Sequence, residues 1–169
     1  MNRWEKFKGL RAITALLIGS ALGAGLFPFA PGTMGSLVGI PIAYISQPFP
    51  WILRILFWLV VFALGAWAAM VFDETLNTAD HSSIVVDEVV GMGISAWTAG
   101  DSLVTWVAAF TLFRFFDIVK PFPIRFLDKW SKIQSSPIMR GFGVMIDDVL
   151  AGLITLGLIV LGQFFGLLP

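Results

Sequence analysis

Cysteine is absent from this 169-residue chain, and histidine occurs once. The lack of cysteine excludes disulfide bonds, thiolate metal sites and catalysis by a cysteine nucleophile. Charged residues make up 13%, about half of the roughly 25% that soluble domains carry. The formal net charge is zero, so the chain lacks the basic field with which proteins attract nucleic acid. We therefore expect no nucleic-acid partner, and too few charges to cover a water-facing surface.

Apolar residues account for 57% of the chain and form five segments. These are Ala12–Phe29, Trp51–Phe72, Ile84–Ala99, Leu103–Val119 and Val144–Leu167. A sixth piece, Leu37–Ile45, is too short to cross a bilayer and contains Pro41, so we expect a half-helix or re-entrant element. The length suits one domain over residues 1–169. The prediction is an all-α fold, a compact integral-membrane bundle of about five membrane helices plus this short element.

Basic residues indicate the orientation of this bundle. They lie before the first segment and between the fourth and fifth, at Arg3, Lys6, Lys8, Arg11, Lys120, Arg125, Lys129, Lys132 and Arg140. With five crossings and the N-terminus inside, both groups fall on the cytoplasmic side, as the positive-inside rule requires. Arg54 would then lie near the outer end of the second helix and extend its side chain toward the interface. The expected product is a multi-pass membrane protein.

Five carboxylates reach one depth in this topology, near the cytoplasmic face. Asp87 and Glu88 begin the third segment, Asp117 ends the fourth, and Asp147 and Asp148 begin the fifth. Carboxylates in close quarters repel one another and resist leaving water, and a divalent cation compensates both effects. Oxygen ligands of this kind suit Mg²⁺ or Mn²⁺. We interpret all five as candidate metal ligands, with one member of a pair free to act as a base.

Arg114 and Lys120 flank Asp117 in the stretch "FRFFDIVKPFPIRF". Their spacing of three residues on either side places all three side chains on one side of a helix. Pro121 ends that helix and leaves the Lys120 ammonium at its C-terminal end, where cations are favoured. This pattern indicates a metal ligand beside two phosphate-binding groups. A salt-bridged helix end explains the same pattern.

The stretch "APGTMGS", Ala30–Ser36, is a small polar loop between two apolar segments. Its backbone N–H groups, together with Thr33 and Ser36, are suited to binding an anion such as a substrate phosphate. A plain turn between helices fits as well. The five-crossing topology places this loop outside, away from the acids. The loop joins the acids only if Ala12–Phe29 turns back instead of crossing.

Two further polar residues precede the third segment. His81 is a candidate general acid or substrate-binding residue, although a solvated loop histidine is the simpler alternative. Asp80 is a candidate metal ligand or a helix-capping residue. The residues alone leave both choices open.

Four stretches together resemble one bacterial family, the phosphatidylglycerophosphatase A family: "PGTMGS", "DHSSIVVDEVVGM", "FRFFDIVKPFPI" and "GVMIDDVLAG". They occur in the family's order between Pro31 and Gly152. The resemblance implies a Mg²⁺-dependent phosphatase of the inner membrane that hydrolyses the terminal phosphomonoester of phosphatidylglycerophosphate. It assigns the family's acidic motif positions to the five carboxylates above, Lys120 to the Asp-x-x-Lys-Pro motif, and Thr33 and Ser36 to the first motif.

The residues themselves point to the same reaction by exclusion. A histidine nucleophile of the lipid-phosphatase kind needs more than one histidine, and the Asp-x-Asp pattern of aspartyl-phosphate enzymes is absent. Attack by a metal-activated water remains. The alternative function is a cation- or proton-coupled membrane transporter, because intramembrane acids often mark ion paths. The chain shows no repeated halves, and its acids gather toward one face, which argues against a transporter.

Overall fold

The computed structural model describes residues 3–78 and 81–169. Within these ranges the chain forms seven α-helices and no strand, so the prediction of an all-α fold is confirmed. The helices are α1 (Leu10–Gly19), α2 (Pro31–Ser46), α3 (Trp51–Leu76), α4 (Val86–Ser95), α5 (Leu103–Val119), α6 (Ile124–Lys132) and α7 (Pro137–Phe164). Short 3₁₀ turns lie at Arg3–Lys6 and Ala24–Leu26.

Among the described helices, α3 and α7 are long and apolar enough to cross a membrane. They have 26 and 28 residues, with mean hydropathies of 2.4 and 2.2 in their most apolar windows. A helix of this length spans about 40 Å, more than the roughly 30 Å of a hydrocarbon core. The two helices pack against each other, and α4 contacts both of them. At 10 residues α4 covers only about 15 Å.

The predicted crossing by Ala12–Phe29 is wrong. α1 ends at Gly19, and the chain then reverses through Ala21 and Leu22, which have φ angles of 47° and 58°. The Gly19 carbonyl accepts a hydrogen bond of 2.8 Å from the N–H of Val85, just before α4. The segment therefore turns back beside the start of α4, and it is this return that allows α2 to begin there.

The prediction of a separate half-helix at Leu37–Ile45 is also wrong, because these residues belong to the 16-residue helix α2. This helix continues through Pro41. Glycines on α2 allow α4 to lie against it: a Cβ added to Gly39 would be 2.9 Å from the Cβ of Met92. Small residues of this kind are the usual means by which apolar helices approach closely.

The contact between α4 and α7 forms the centre of the bundle and depends on Gly91 and Gly152. A Cβ on Gly152 would lie 2.7 Å from the carbonyl oxygen of Gly91, and a Cβ on Gly91 would lie 2.4 Å from the ring of Phe113. The two backbones therefore touch directly. This approach fixes the height of α7 relative to α4, and with it the relative positions of the acids on the two helices.

Replacement of Gly152 by alanine tests this contact. We expect Gly152→Ala to lower the free energy of unfolding by about 1–3 kcal/mol, as overpacking of a close-packed core does. The clash is with a backbone carbonyl, which a side-chain rotation does not relieve. Thermal unfolding in detergent measures the effect. Gly157→Ala is the control in the same helix, since a Cβ there would meet no described atom within 4 Å. Equal stability of the two variants would contradict the contact.

Arg54 does not extend to the interface as predicted. It is 6% exposed, and its guanidinium lies over the ring of Trp97 at 4.1 Å from the centroid. Because Trp97 follows the end of α4 directly, this cation–π contact ties α3 to the loop after α4.

Candidate active site

A polar pocket of about 320 Å³ lies at the end of the bundle where α2 and α4 begin and α5 ends. Its lining includes seven of the residues singled out in the sequence: Asp87, Glu88, Asp117, Asp147, Asp148, Arg114 and Lys120. Four helices supply the lining: α2 and α4 near their first residues, α5 near its last, and α7 from Val144 to Asp148, about two to three turns after its start. The five acids expected at one depth are thus neighbours in space.

Local structure explains why these carboxylates lie where they do. α4 begins at Val86, so Asp87 and Glu88 occupy its first turn, where the partial positive charge of a helix N-terminus stabilises acids. Asp117 occupies the last turn of α5, where a carboxylate is disfavoured. Arg114 compensates by contacting Asp117 through Nη1.

Asp87, Glu88 and Asp148 form the tightest group of acids in the described part of the chain. Each offers one carboxylate oxygen, and these oxygens all lie within 4.8 Å of one another. Glu88 Oε2 and Asp148 Oδ2 are buried and have no hydrogen-bond partner among the described residues. Buried carboxylate oxygens at this separation repel one another, and a bound cation would offset that repulsion. The donor set, oxygen without sulfur or nitrogen, fits Mg²⁺.

Arg114 connects three helices at the edge of this group. Besides contacting Asp117, its Nη1 lies 3.9 Å from Glu88 Oε1 on α4 and donates to Ser36 Oγ on α2 at 3.5 Å. Ser36 is buried, and its hydroxyl also donates to the Gly32 carbonyl at 3.0 Å. Arg114 is therefore held in place from both sides.

Lys120 forms a second cationic group of the pocket, with acidic partners different from those of Arg114. Its Nζ donates to Asp147 Oδ2 at 2.5 Å and to Asp128 Oδ1 at 2.7 Å. Lys132 also donates to Asp128 Oδ1, at 2.9 Å. Burial by itself would raise the pKa of Asp128, but the hydrogen bonds from the two lysines outweigh it and hold that pKa below its usual value. Asp128 thus stays ionised and keeps Lys120 oriented.

Asp128 was not among the predicted site residues. It lies on α6, eight residues after Lys120, and Pro121 and Pro123 interrupt the helix between them, so helical spacing does not connect the two. The sequence offered no spacing signal for this pair, which forms only because the chain turns between α5 and α6.

The start of α2 lies in the pocket, which resolves the open question about the "APGTMGS" stretch. Ala30, Pro31 and Gly32 line the pocket with the acids. A Cβ on Gly32 would lie 2.2 Å from Glu88 Oε1 and 3.2 Å from Arg114 Nη1. Only glycine permits this approach, so the backbone of α2 forms one wall of the site.

Two other predicted residues, Thr33 and His81, stand apart from the acids. Thr33 and His81 are not among the described residues that line the pocket, whereas Ser82 is. The Nδ1 of His81 accepts a hydrogen bond from the Ser83 N–H at 3.2 Å, and its ring packs edge-on against Trp4. Asp80 lies outside the described residues.

Comparison with known proteins agrees with the motifs that line this pocket. The sequence model of the family described as Phosphatidylglycerophosphatase A matches residues 17–163. The chain belongs to the phosphatidylglycerophosphatase A family. The match includes every residue of the acidic group and both cations. As a member of the phosphatidylglycerophosphatase A family, the protein is an enzyme, a phosphatase.

Two curated relatives have the family's name. The chain is 38% identical to Phosphatidylglycerophosphatase A of Escherichia coli (strain K12) over 144 residues, which are 85% of this chain and 80% of the relative. It is 40% identical to Phosphatidylglycerophosphatase A of Haemophilus influenzae over 154 residues, 90% of this chain and 89% of the relative. A Bacteroides thetaiotaomicron protein, named provisionally as a phosphatidylinositol-3-phosphatase, is 39% identical over 159 residues, 88% of this chain and 93% of the relative. No solved structure matches the chain.

Proposed function

We propose that this protein hydrolyses the terminal phosphomonoester of phosphatidylglycerophosphate and releases phosphatidylglycerol and inorganic phosphate. The observation that supports this best is the close group of three carboxylates between two oriented cations, in a chain whose family is named for this reaction. Carboxylates and cations in this arrangement suit a phosphate monoester and a divalent metal together. The bottom of the pocket belongs to Asp87, Glu88 and Asp148, which we propose hold Mg²⁺.

Mg²⁺ at these three residues would polarise a phosphoryl oxygen, lower the pKa of the attacking water and offset the charge on the leaving oxygen. The unpartnered oxygens of Glu88 and Asp148 are suited to that role, since their burial leaves them no water to contact. Asp117 and Asp147 differ from the trio because each makes a close ion pair with a cation of the chain, whereas Glu88 lies 3.9 Å from Arg114.

Arg114 and Lys120 bind the phosphate and stabilise charge in the transition state. Both are oriented before substrate binds, Arg114 by Asp117 and Ser36, and Lys120 by Asp147 and Asp128. Preoriented donors of this kind lower a barrier more than mobile ones. The water oxygen bonds to phosphorus as the bond to the glycerol oxygen breaks. A pocket carboxylate accepts a proton from the attacking water. The glycerol oxygen takes up a proton and becomes the alcohol.

We also propose that the bundle lies in the cytoplasmic membrane, with this pocket at the cytoplasmic face. α4 contacts α2, α3, α5 and α7, of which α3 and α7 are long and apolar enough to cross a bilayer. We propose that α2, α4 and α5 lie beside these two in the membrane, with α2 in place of the first apolar segment. Large apolar residues are exposed along α3 and α7, among them Leu59, Val60 and Leu161. The cations at the pocket's end of the bundle fit the positive-inside rule.

Phosphate release in detergent tests the function. We expect purified protein to release phosphate from phosphatidylglycerophosphate with Mg²⁺ and to lose at least about 10²-fold of that rate in EDTA, since metal ions supply several kcal/mol of stabilisation. Phosphatidylinositol 3-phosphate is the comparison substrate, because one relative is named for it. We expect slower release from that lipid. Folded protein that released no phosphate from either lipid in Mg²⁺ would contradict the proposal.

A further inference from the structure

A groove of about 950 Å³ separates α2 from α5 on the outside of the bundle. Its walls are mostly apolar and include Leu37, Pro41, Val107 and Phe110. At the end far from the acids, the Tyr44 hydroxyl on α2 donates to Asp101 Oδ1 just before α5, at 3.4 Å. The Tyr44 ring also lies 6.1 Å from that of Trp106. These contacts close the far end of the groove.

The near end of the groove leads to the acidic pocket. On α5, Phe110 lines the groove, and Arg114 and Asp117 line the pocket four and seven residues later. Residues at this spacing share one face of a helix, so groove and pocket follow one another along the same side of α5. The contact from Arg114 to Ser36 joins α5 to α2 between them.

A second apolar cleft, of about 490 Å³ between α3, α4 and α7, has no such connection. Phe142, Ile146 and Leu153 line it from α7. Asp147 and Asp148 follow Ile146 by about 100° and 200° of helical rotation. The acids therefore turn away from this cleft, whereas the groove between α2 and α5 ends at Phe110, about one helical turn from Arg114 in the pocket.

We infer that the groove between α2 and α5 holds an acyl chain of the lipid substrate, an assignment that rests on the function proposed above. Its walls suit hydrocarbon and not a head group, and Phe110 at its near end lies about one helical turn from Arg114, the cation proposed to bind the phosphate. From Leu103 to Arg114 the helix rises about 16 Å, close to half of a roughly 30 Å hydrocarbon core and so to one leaflet. Leu103 and Val107 are 76% and 58% exposed, so an acyl chain enters the groove laterally from the bilayer.

A tryptophan placed in the groove tests this assignment. We expect Val107→Trp to lower kcat/KM for long-chain phosphatidylglycerophosphate by about tenfold, the effect of losing about two buried methylene groups. Hydrolysis of a dihexanoyl substrate, whose chains are too short to fill the groove, should stay within about twofold of the unaltered protein. Val107 is exposed, and short-chain activity reports directly that the variant is folded.

Leu153→Trp is the matched control, because it places the same side chain in the other cleft. We expect it to leave both substrates unaffected. An equal loss on long and short chains, no loss on long chains, or a long-chain loss confined to Leu153→Trp would each overturn the groove assignment. If the unaltered protein hydrolysed neither substrate, the proposed function would fail and the groove assignment with it, an outcome distinct from any difference between the variants.

Discussion

Asp148→Asn is expected to reduce phosphate release by about 10²–10³-fold, the loss typical of removing one group that stabilises charge in a transition state. Asp148 is 3% exposed, and its carboxylate lies within 4.8 Å of those of Asp87 and Glu88. An asparagine keeps the shape and one oxygen, but it has no charge to hold a divalent cation. The steady-state rate at saturating Mg²⁺ measures the effect.

The same variant has a second signature, in stability. In EDTA the Asp148→Asn protein should unfold at a temperature equal to or above that of the unaltered protein, because one buried charge among like charges has been removed. Addition of Mg²⁺ should raise the unfolding temperature of the unaltered protein, since a ligand at 100 times its dissociation constant stabilises by about 2.7 kcal/mol. Addition of Mg²⁺ should raise the unfolding temperature of the Asp148→Asn protein by a smaller amount. Loss of activity together with a smaller Mg²⁺ shift distinguishes a metal ligand from a structural residue.

Glu74→Gln is the control for this experiment. Glu74 is a carboxylate outside the pocket, 40% exposed and paired with Arg11 at 2.9 Å. Its replacement should change neither the rate nor the Mg²⁺-dependent shift. If Asp148→Asn kept activity within about twofold of the unaltered protein, the assignment of the three carboxylates to Mg²⁺ would be wrong.

Gly32→Ala is expected to reduce kcat/KM by about 10²-fold, the loss that a misplacement of about 1 Å at a reacting centre causes. The added Cβ would lie 2.2 Å from Glu88 Oε1 and 3.2 Å from Arg114 Nη1, so both groups have to move. The atoms that clash are the ends of side chains and not backbone. The free energy of unfolding should therefore change little while activity falls.

Gly157→Ala is the matched control for Gly32→Ala. Within the part of the chain that the structure describes, nothing lies within 4 Å of a Cβ at Gly157. Its replacement should leave kcat/KM unchanged and stabilise α7 by about 0.5–1 kcal/mol, as alanine does relative to glycine inside a helix. Activity of Gly32→Ala equal to that of Gly157→Ala would contradict the close approach of α2 to Glu88.

The sequence predicted which carboxylates lie close together more accurately than it predicted the course of the backbone. Asp87 and Asp117 lie in terminal turns of their helices, and the positive-inside rule assigns such ends to one side of a bilayer. Asp147 was expected in the first turns of its helix, but α7 begins at Pro137 and places Asp147 about three turns further in. The predicted side of the bilayer for each acid depends only on the direction in which its own helix crosses. The family motifs lie on the same residues, so two independent arguments agreed at these positions.

The return of the chain after α1 was not predictable from hydropathy. Ala21 and Leu22 adopt positive φ angles although neither is a residue that favours them, and the hydrogen bond from Val85 to Gly19 that accompanies the turn comes from a distant part of the chain. The start of α2 did have a local signal. Pro31 is the first residue of that helix, a position that proline favours, so the stretch after it belonged to a helix and not to a loop.

The shortness of α4 has a consequence for the bilayer around the proposed membrane bundle. α4 is surrounded by α2, α3, α5 and α7, so its own 10 residues do not have to match the thickness of the lipid. In the proposed bilayer position, the first turn of α4 instead lies where α2 begins and α5 ends, so its carboxylates line the pocket at that end of the bundle. On the function proposed above, a lipid head group would reach these carboxylates from the membrane surface while its acyl chains stay in the leaflet.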